Sequence, residues 1–214
     1  MRRSLTPEIM DDPQVPQETW ERFHRQLGAL HRFLGNQRAI LDALRRHPHP
    51  IGRVLDIGCG DGQLLSAIQR DLRVEVQGID LRPPHRRLFD VPIVAADAAR
   101  DRLPDADVAV CMTVFHHLTE AEITALVRNA SRSVRRLIVL DLVRHWVPLA
   151  LFSVLVAPFL MHVVARDGCQ SIRRAYTPAE LRAIVEGALN GSRGRIVHSV
   201  TPFRCRQMID IMWS

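Results

Sequence analysis

The chain contains no lysine; all 29 of its basic residues are arginines. That absence excludes a phosphate-binding loop of the form G-x-x-x-x-G-K-[ST], in which the lysine reaches the terminal phosphates. Cysteine is scarce and scattered: Cys59, Cys111, Cys169 and Cys205 make no C-x-x-C pair, which speaks for a reducing cytoplasm and against a structural metal. The opening residues, M-R-R-S-L-T-P-E, lack an apolar core segment, so no signal peptide is read there. Negative charge is the minority sign, and the formal balance of +6 invites a nucleic-acid or anionic-membrane partner. The arginines, however, stand in separated pairs (Arg2-Arg3, Arg45-Arg46, Arg86-Arg87, Arg135-Arg136, Arg173-Arg174) rather than in one mass, the pattern of a solvated surface. With 214 residues and 47% apolar content, one domain with a sizeable core is expected.

What is present centres on Arg53 to Gly62, R-V-L-D-I-G-C-G-D-G. A short apolar run breaks into Gly58, Gly60 and Gly62, and Leu64, Leu65 and Ile68 follow at helical spacing. This is strand, glycine turn, helix, and alternate glycines let a backbone approach a ligand closely. The dinucleotide fingerprint G-x-G-x-x-G would need glycine at position 63, where the chain has Gln. What remains, Asp56 followed by G-x-G-x-G, suits a ligand carrying positive charge.

V-L-D-I-G-C-G-D-G resembles motif I of the class I S-adenosylmethionine (SAM) methyltransferases, and later landmarks fall in that family's order. Val74 to Ile79 closes in Gly78-Ile79-Asp80, Asp97 sits in V-A-A-D-A, and D-V-A-V-C at 107–111 runs into M-T-V-F-H-H-L. The resemblance implies an α/β fold: a Rossmann-like, seven-stranded, mostly parallel sheet with a C-terminal antiparallel hairpin and an N-terminal helical cap. It implies cofactor contacts at Asp56, Gly58, Cys59, Gly60, Asp80, Leu81, Asp97, Ala98 and Met112, with Asp80 on the ribose hydroxyls and the Asp97 loop on the adenine. Residues 1–50 are expected to form the cap and 51–214 the SAM-binding domain.

Taken in order, residues 1–18 read as an extended or partly mobile leader. A helix follows with Thr19 as N-cap, Gly35 interrupts it, and a second helix ends at His47-Pro48-His49-Pro50. Leu81 to Asp90 carries two prolines and predicts a short or irregular third helix. Thr119 and Glu122 form a capping box for a helix over 118–134, Arg136 to Leu142 reads as a buried strand, and Thr177-Pro178 opens another helix. Trp146 to Ala165 bears no formal charge; Pro148, Pro158 and His162 argue against a span, so it is expected as a lid or substrate-chamber insertion. A membrane-surface element, a dimer face or a true span are the alternatives. Arg195–Val200 and Phe203–Ile211 predict the closing strand pair.

Methyl transfer needs a positioned nucleophile and, for a phenol or enol, a base. Histidine suits that role, and His116 and His117 follow the fourth strand, at the sheet edge where open α/β folds bind ligands. His145 and Tyr176 join them as catalytic candidates around the apolar stretch, with Asp141, His162 and Asp167 near by. The pattern D-L-V-R-H, apolar run, R-D-G-x-x-S-I-R-R-A-Y-T-P-A-E-L resembles small bacterial methyltransferases of secondary metabolites such as polyketide phenols, and more distantly the quinone C-methyltransferases. Arg166 stands where that group would have histidine, while Arg173 and Arg174 could pair an acidic acceptor group. Nucleic-acid methyltransferase signatures ([DNS]-P-P-[YFW], Pro-Cys) and the paired glutamates of protein-arginine enzymes are absent. The expectation is a cytoplasmic, monomeric or homodimeric O-methyltransferase of a small, fairly apolar acceptor, with no metal and no nucleic-acid partner. Peripheral membrane contact through 146–165 stays open, as do C-methylation of a quinone or lipid-like acceptor and a non-catalytic SAM-binding partner protein.

Overall fold

The structure is a computed structural model that describes residues 1–84 and 88–213; the Arg86-Arg87 pair and the middle of the 81–90 segment lie outside the described residues. Two helices come first, α1 (Gln17–Phe33) and α2 (Asn36–Arg45), then β1 (Arg53–Ile57), α3 (Gln63–Leu72), β2 (Glu75–Asp80), β3 (Ile93–Ala95) and β4 (Ala106–Met112). The remainder is α4 (Glu120–Ala130), β5 (Val134–Leu142), α5 (Trp146–Leu155), α6 (His162–Arg174), α7 (Pro178–Ala188), β6 (Gly194–Val200) and β7 (Arg206–Trp213).

The strands form one sheet in the order β3-β2-β1-β4-β5-β7-β6. Neighbours from β3 to β5 pair parallel, and β7 pairs antiparallel with both β5 and β6. This is the seven-stranded, mostly parallel sheet with a closing antiparallel pair that the resemblance implies. Helices cover both faces, so central strands read as continuous apolar runs: in β5 every residue from Arg136 to Asp141 is buried. Chain order reverses between β1 and β4, which opens a crevice beyond their carboxyl ends. The glycine turn, Asp80, Thr113 and Asp141 all stand at that edge.

Local chemistry explains most boundaries. Thr119 and Thr177 both complete capping boxes, with Glu122 and Glu180. Helix α4 ends at Ala130, short of the predicted 134, because Val134 already pairs with Ala106 in the sheet. Helix α1 starts two residues before Thr19: Pro16, at φ −55°, turns the chain in and its carbonyl accepts from Trp20 N–H. Gly58, Gly60 and Gly62 all take positive φ, and a Cβ on Gly58 would lie 2.4 Å from Val114 Cγ2.

The leader departs from expectation. Ser4 N–H donates to Arg173 O, Arg3 to the carbonyls of Arg174, His116 and Leu118, and Ile9 and Met10 N–H to the Asp167 carboxylate. These residues are strapped across α6 rather than free. The uncharged stretch 146–165 forms α5, a 3-10 turn at Ala157–Phe159 and the first turn of α6. Among the described residues no helix is long and apolar enough to cross a membrane. α5 docks on α6 where Gly168 leaves room: a Cβ there would come within 2.4 Å of the Phe152 ring.

Replacing Gly168 by Val is therefore expected to drive Phe152 off α6 and lower stability by about 1–3 kcal/mol. Urea unfolding at pH 7 measures it; an unchanged midpoint would show that Phe152 moves aside freely.

Candidate functional site

The carboxyl edge of the sheet, α1, α6 and the leader enclose a cavity of about 900 Å³. Its floor at one end is the glycine turn. Gly58 and Cys59 N–H both donate to Ile79 O, fixing the turn to β2. Asp80, ending β2, accepts from Gly60 N–H at 2.8 Å with one oxygen and from Arg82 N–H at 2.8 Å with the other. Each oxygen keeps a lone pair for a ligand. Asp56 is 2% exposed, and Asp61 accepts from Gln63 N–H with Oδ1 while its buried Oδ2 has no partner.

Burial pushes all three carboxyls upward, Asp56 furthest, with Asp80 adding repulsion there. None of the three has an ion pair within the described residues. Among the described residues this end of the cavity is acidic and its carboxyls are without ion pairs, which favours a cationic ligand.

The other predicted cofactor contacts distribute unevenly. Met112, Leu81 and Ala98 line the cavity. Asp97 lines it too, though its carboxylate is occupied in its own turn by Ala99 N–H and by Arg100. Cys59 contributes backbone; its sulfur points toward Gly78, and burial raises the thiol's pKa far beyond the thiolate range.

The same cavity is lined by a histidine pair on a 3-10 turn, Phe115–His117. His116 is 3% exposed; its Nδ1 donates to Asp141 Oδ1 at 2.7 Å, and its backbone N–H to Oδ2 at 3.0 Å. The His116 contacts hold the Asp141 carboxyl below its ordinary range although burial pulls the other way. The ring is thereby fixed with Nε2 toward Glu8, 3.7 Å away. His117 Nδ1 meets Asp11 Oδ1 at 2.9 Å. Glu8 lies under α6, accepting from Ser171 Oγ at 2.9 Å, and burial lifts its carboxyl to about 7. Arg174 pairs with Asp11 and donates to His117 O.

Two of the sequence candidates stand elsewhere. His145 caps α5, accepting Val147 N–H at 3.2 Å, and is not part of the cavity wall. Tyr176 is 3% exposed, donates its hydroxyl to Leu118 O and carries the Arg3 guanidinium 3.9 Å above its ring. Both positions follow from local duties: an exposed helix start needs an acceptor, and a buried phenol needs one too. Arg166 and Arg173 are exposed or partly so, and Asp167 is spent on the leader.

The residues that sequence reasoning missed come from α1 and the leader. His24 lines the cavity beside the glycine turn, stacked on Trp20 at 3.7 Å. His31 takes part in a relay: Arg206 donates to Asn36 Oδ1 at 2.6 Å, Asn36 Nδ2 to His31 Nδ1 at 2.9 Å, and His31 Nε2 faces Thr113 Oγ1 at 3.4 Å. That relay supports Thr113, a non-glycine residue at φ +57° at the end of β4. Glu8 and Asp11 sit in a segment with no periodicity to betray them.

Burial lowers His24 and His31 to about 4. Between pH 6.5 and 4 the unfolded chain binds protons at these histidines that the folded chain does not, so their contribution is complete above 6.5 and lost as pH falls. Glu8, raised, acts in the opposite sense. Comparing His31→Gln with the parent isolates one group: the parent should lose about 2 kcal/mol more than the variant between pH 7 and 5, from ~1.4 kcal/mol per unit. Parallel urea-unfolding profiles would contradict a neutral buried His31.

Residues 54–136 match the family model described as "Methyltransferase domain". No curated protein sequence matches the chain. Among solved structures, the plantazolicin methyltransferase BpumL, bound to a monoazolic desmethylPZN analog and SAH, has TM-score 0.72 at 12% identity, covering 96% of this chain and 92% of that one. Human N-acetylserotonin methyltransferase with SAM has TM-score 0.67 at 14% identity, covering 93% of this chain and 57% of that one. The methyltransferase domain of bacterial CtHen1-C has TM-score 0.62 at 16% identity, covering 84% and 97%. The fold is the one these methyltransferases share.

Proposed function

From a chain that carries a methyltransferase domain, we propose a SAM-dependent methyltransferase acting on a small, fairly apolar acceptor, with O-methylation of a phenol or enol favoured. The observation that carries this reading is a cavity in which an acidic, cation-seeking glycine turn faces a carboxylate-oriented histidine. Two of the similar structures are of a plantazolicin methyltransferase and an N-acetylserotonin methyltransferase.

Bound at the turn, SAM supplies a methyl group on a sulfonium sulfur, an electrophile that needs no further activation. Its positive charge matches Asp56, Asp61 and Asp80, whose burial without cations is otherwise costly. Asp80 would hold the ribose hydroxyls with the lone pairs left by Gly60 and Arg82, and the Asp97–Ala98 loop would border the adenine. The remaining roles belong to side chains at the acceptor end. Phe23, Leu27, Leu30, Phe152, Val164 and Ile172 line the cavity and exclude water from an apolar ring. His116, locked by Asp141, presents Nε2 as the base or orienter for an acceptor hydroxyl. Because α5 and the following turn expose Trp146, Leu155 and Phe159, at 68%, 61% and 83%, a quinone or lipid-like acceptor approached from a membrane surface, with C-methylation, is the second reading.

Two substitutions divide the site. Asp80→Ala should raise the SAM dissociation constant about tenfold or more, equivalent to ~1.4 kcal/mol; unchanged affinity removes Asp80 from the cofactor end. His116→Ala should lower turnover of a phenolic acceptor with SAM affinity retained, and an unaltered rate from pH 6 to 9 would remove His116 from the acceptor end.

A further inference from the structure

Glu8, His116 and His117 each present one ligand atom, and these atoms lie within 4.8 Å of one another. Glu8 Oε1 is 3.7 Å from His116 Nε2, and Glu8 Oε2 is 3.9 Å from His117 Nε2. Both separations are too long for hydrogen bonds. Ligands bound to one ion at about 2.0–2.2 Å stand about 3.0–3.6 Å apart, so modest side-chain shifts would bring the three together.

The surroundings are those of prepared metal ligands. A histidine that binds through Nε2 ordinarily donates Nδ1–H to a carboxylate, which fixes its ring and raises its basicity. Here both do: His116 to Asp141 at 2.7 Å and His117 to Asp11 at 2.9 Å. Glu8 is itself oriented by Ser171 Oγ at 2.9 Å. Four carboxyls (Glu8, Asp11, Asp141, Asp167) face two guanidiniums, Arg3 and Arg174, and the short contact of Arg174 is with Asp11 rather than Glu8, which it meets at 3.9 Å. Among the described residues the cluster has more carboxyls than guanidiniums.

We infer that Glu8, His116 and His117 bind a divalent transition-metal ion, of the zinc, manganese or ferrous class, at the acceptor end of the cavity. Two imidazoles and a carboxylate leave coordination positions open, and the cavity is where an acceptor oxygen would enter. The inference rests on the proposed methyltransferase reading only for the identity of that oxygen, and it makes His116 an orienter acting through the ion. It also explains why the leader is strapped down, since without residues 8–11 the site has neither its carboxylate ligand nor the partner of His117.

The site is tested by titrating the metal-stripped full chain with Co2+, reading visible d–d absorption and bound metal by elemental analysis, with S-adenosylhomocysteine (SAH) binding measured on the same samples. One ion per chain is expected. Glu8→Gln and His117→Gln should each weaken it at least tenfold, and Asp141→Asn by about 10–100-fold through loss of ring orientation, with circular dichroism unchanged. No Co2+ uptake by the parent, or uptake that persists in the Glu8→Gln/His117→Gln double variant, overturns the site. Metal uptake without SAH binding keeps the metal site and removes the methyltransferase reading; SAH binding without metal does the reverse.

Discussion

The histidine side of the cavity depends on one buried carboxylate. Asp141 stands near the end of β5, the last of five consecutive parallel-paired strands in spatial order, and is 2% exposed. An ionised group so placed is tolerable only when its lone pairs are filled. His116 fills them twice, by ring and by backbone, so the short turn after β4 is bound to the end of β5. The sheet sets where Asp141 stands, Asp141 sets the His116 ring, and the ring sets the direction of Nε2. Geometry held by a strand is more exact than geometry held by a loop.

At the opposite end the logic inverts. Asp56, Asp61 and Asp80 are buried or nearly so beside the glycine turn, and among the described residues Asp61 and Asp80 have backbone donors but no ion pair. The two ends differ in what their carboxylates lack: one set is matched to imidazoles and Arg174, the other is left for a ligand. The proposed reading, a positively charged cofactor and an apolar acceptor, would account for both conditions in one cavity.

How much of this the sequence disclosed follows contact distance along the chain. The glycine turn, Asp80 at a strand end, and both capping boxes are local, and their residue types carry the signal directly. The seven-stranded, mostly parallel sheet followed from the resemblance those landmarks support. The strap was illegible because its partners are remote: Glu8 meets Ser171 across 163 positions and Asp11 meets His117 across 106. An irregular acidic segment reads as a leader by composition alone. His24 and His31 hid on a helix whose Trp20, Phe23 and Leu30 explain its pattern as core packing. His145 misled for the converse reason, since a histidine beside an apolar run looks chemical while its actual duty is a helix cap.

The cofactor site proposed for this chain is the glycine turn with its buried carboxyls, a pocket for SAM. Isothermal titration of the folded protein with SAH tests it without knowledge of the acceptor. One site per chain with micromolar affinity is expected, abolished or weakened when Asp80 is replaced. A folded protein that takes up no SAH would contradict it.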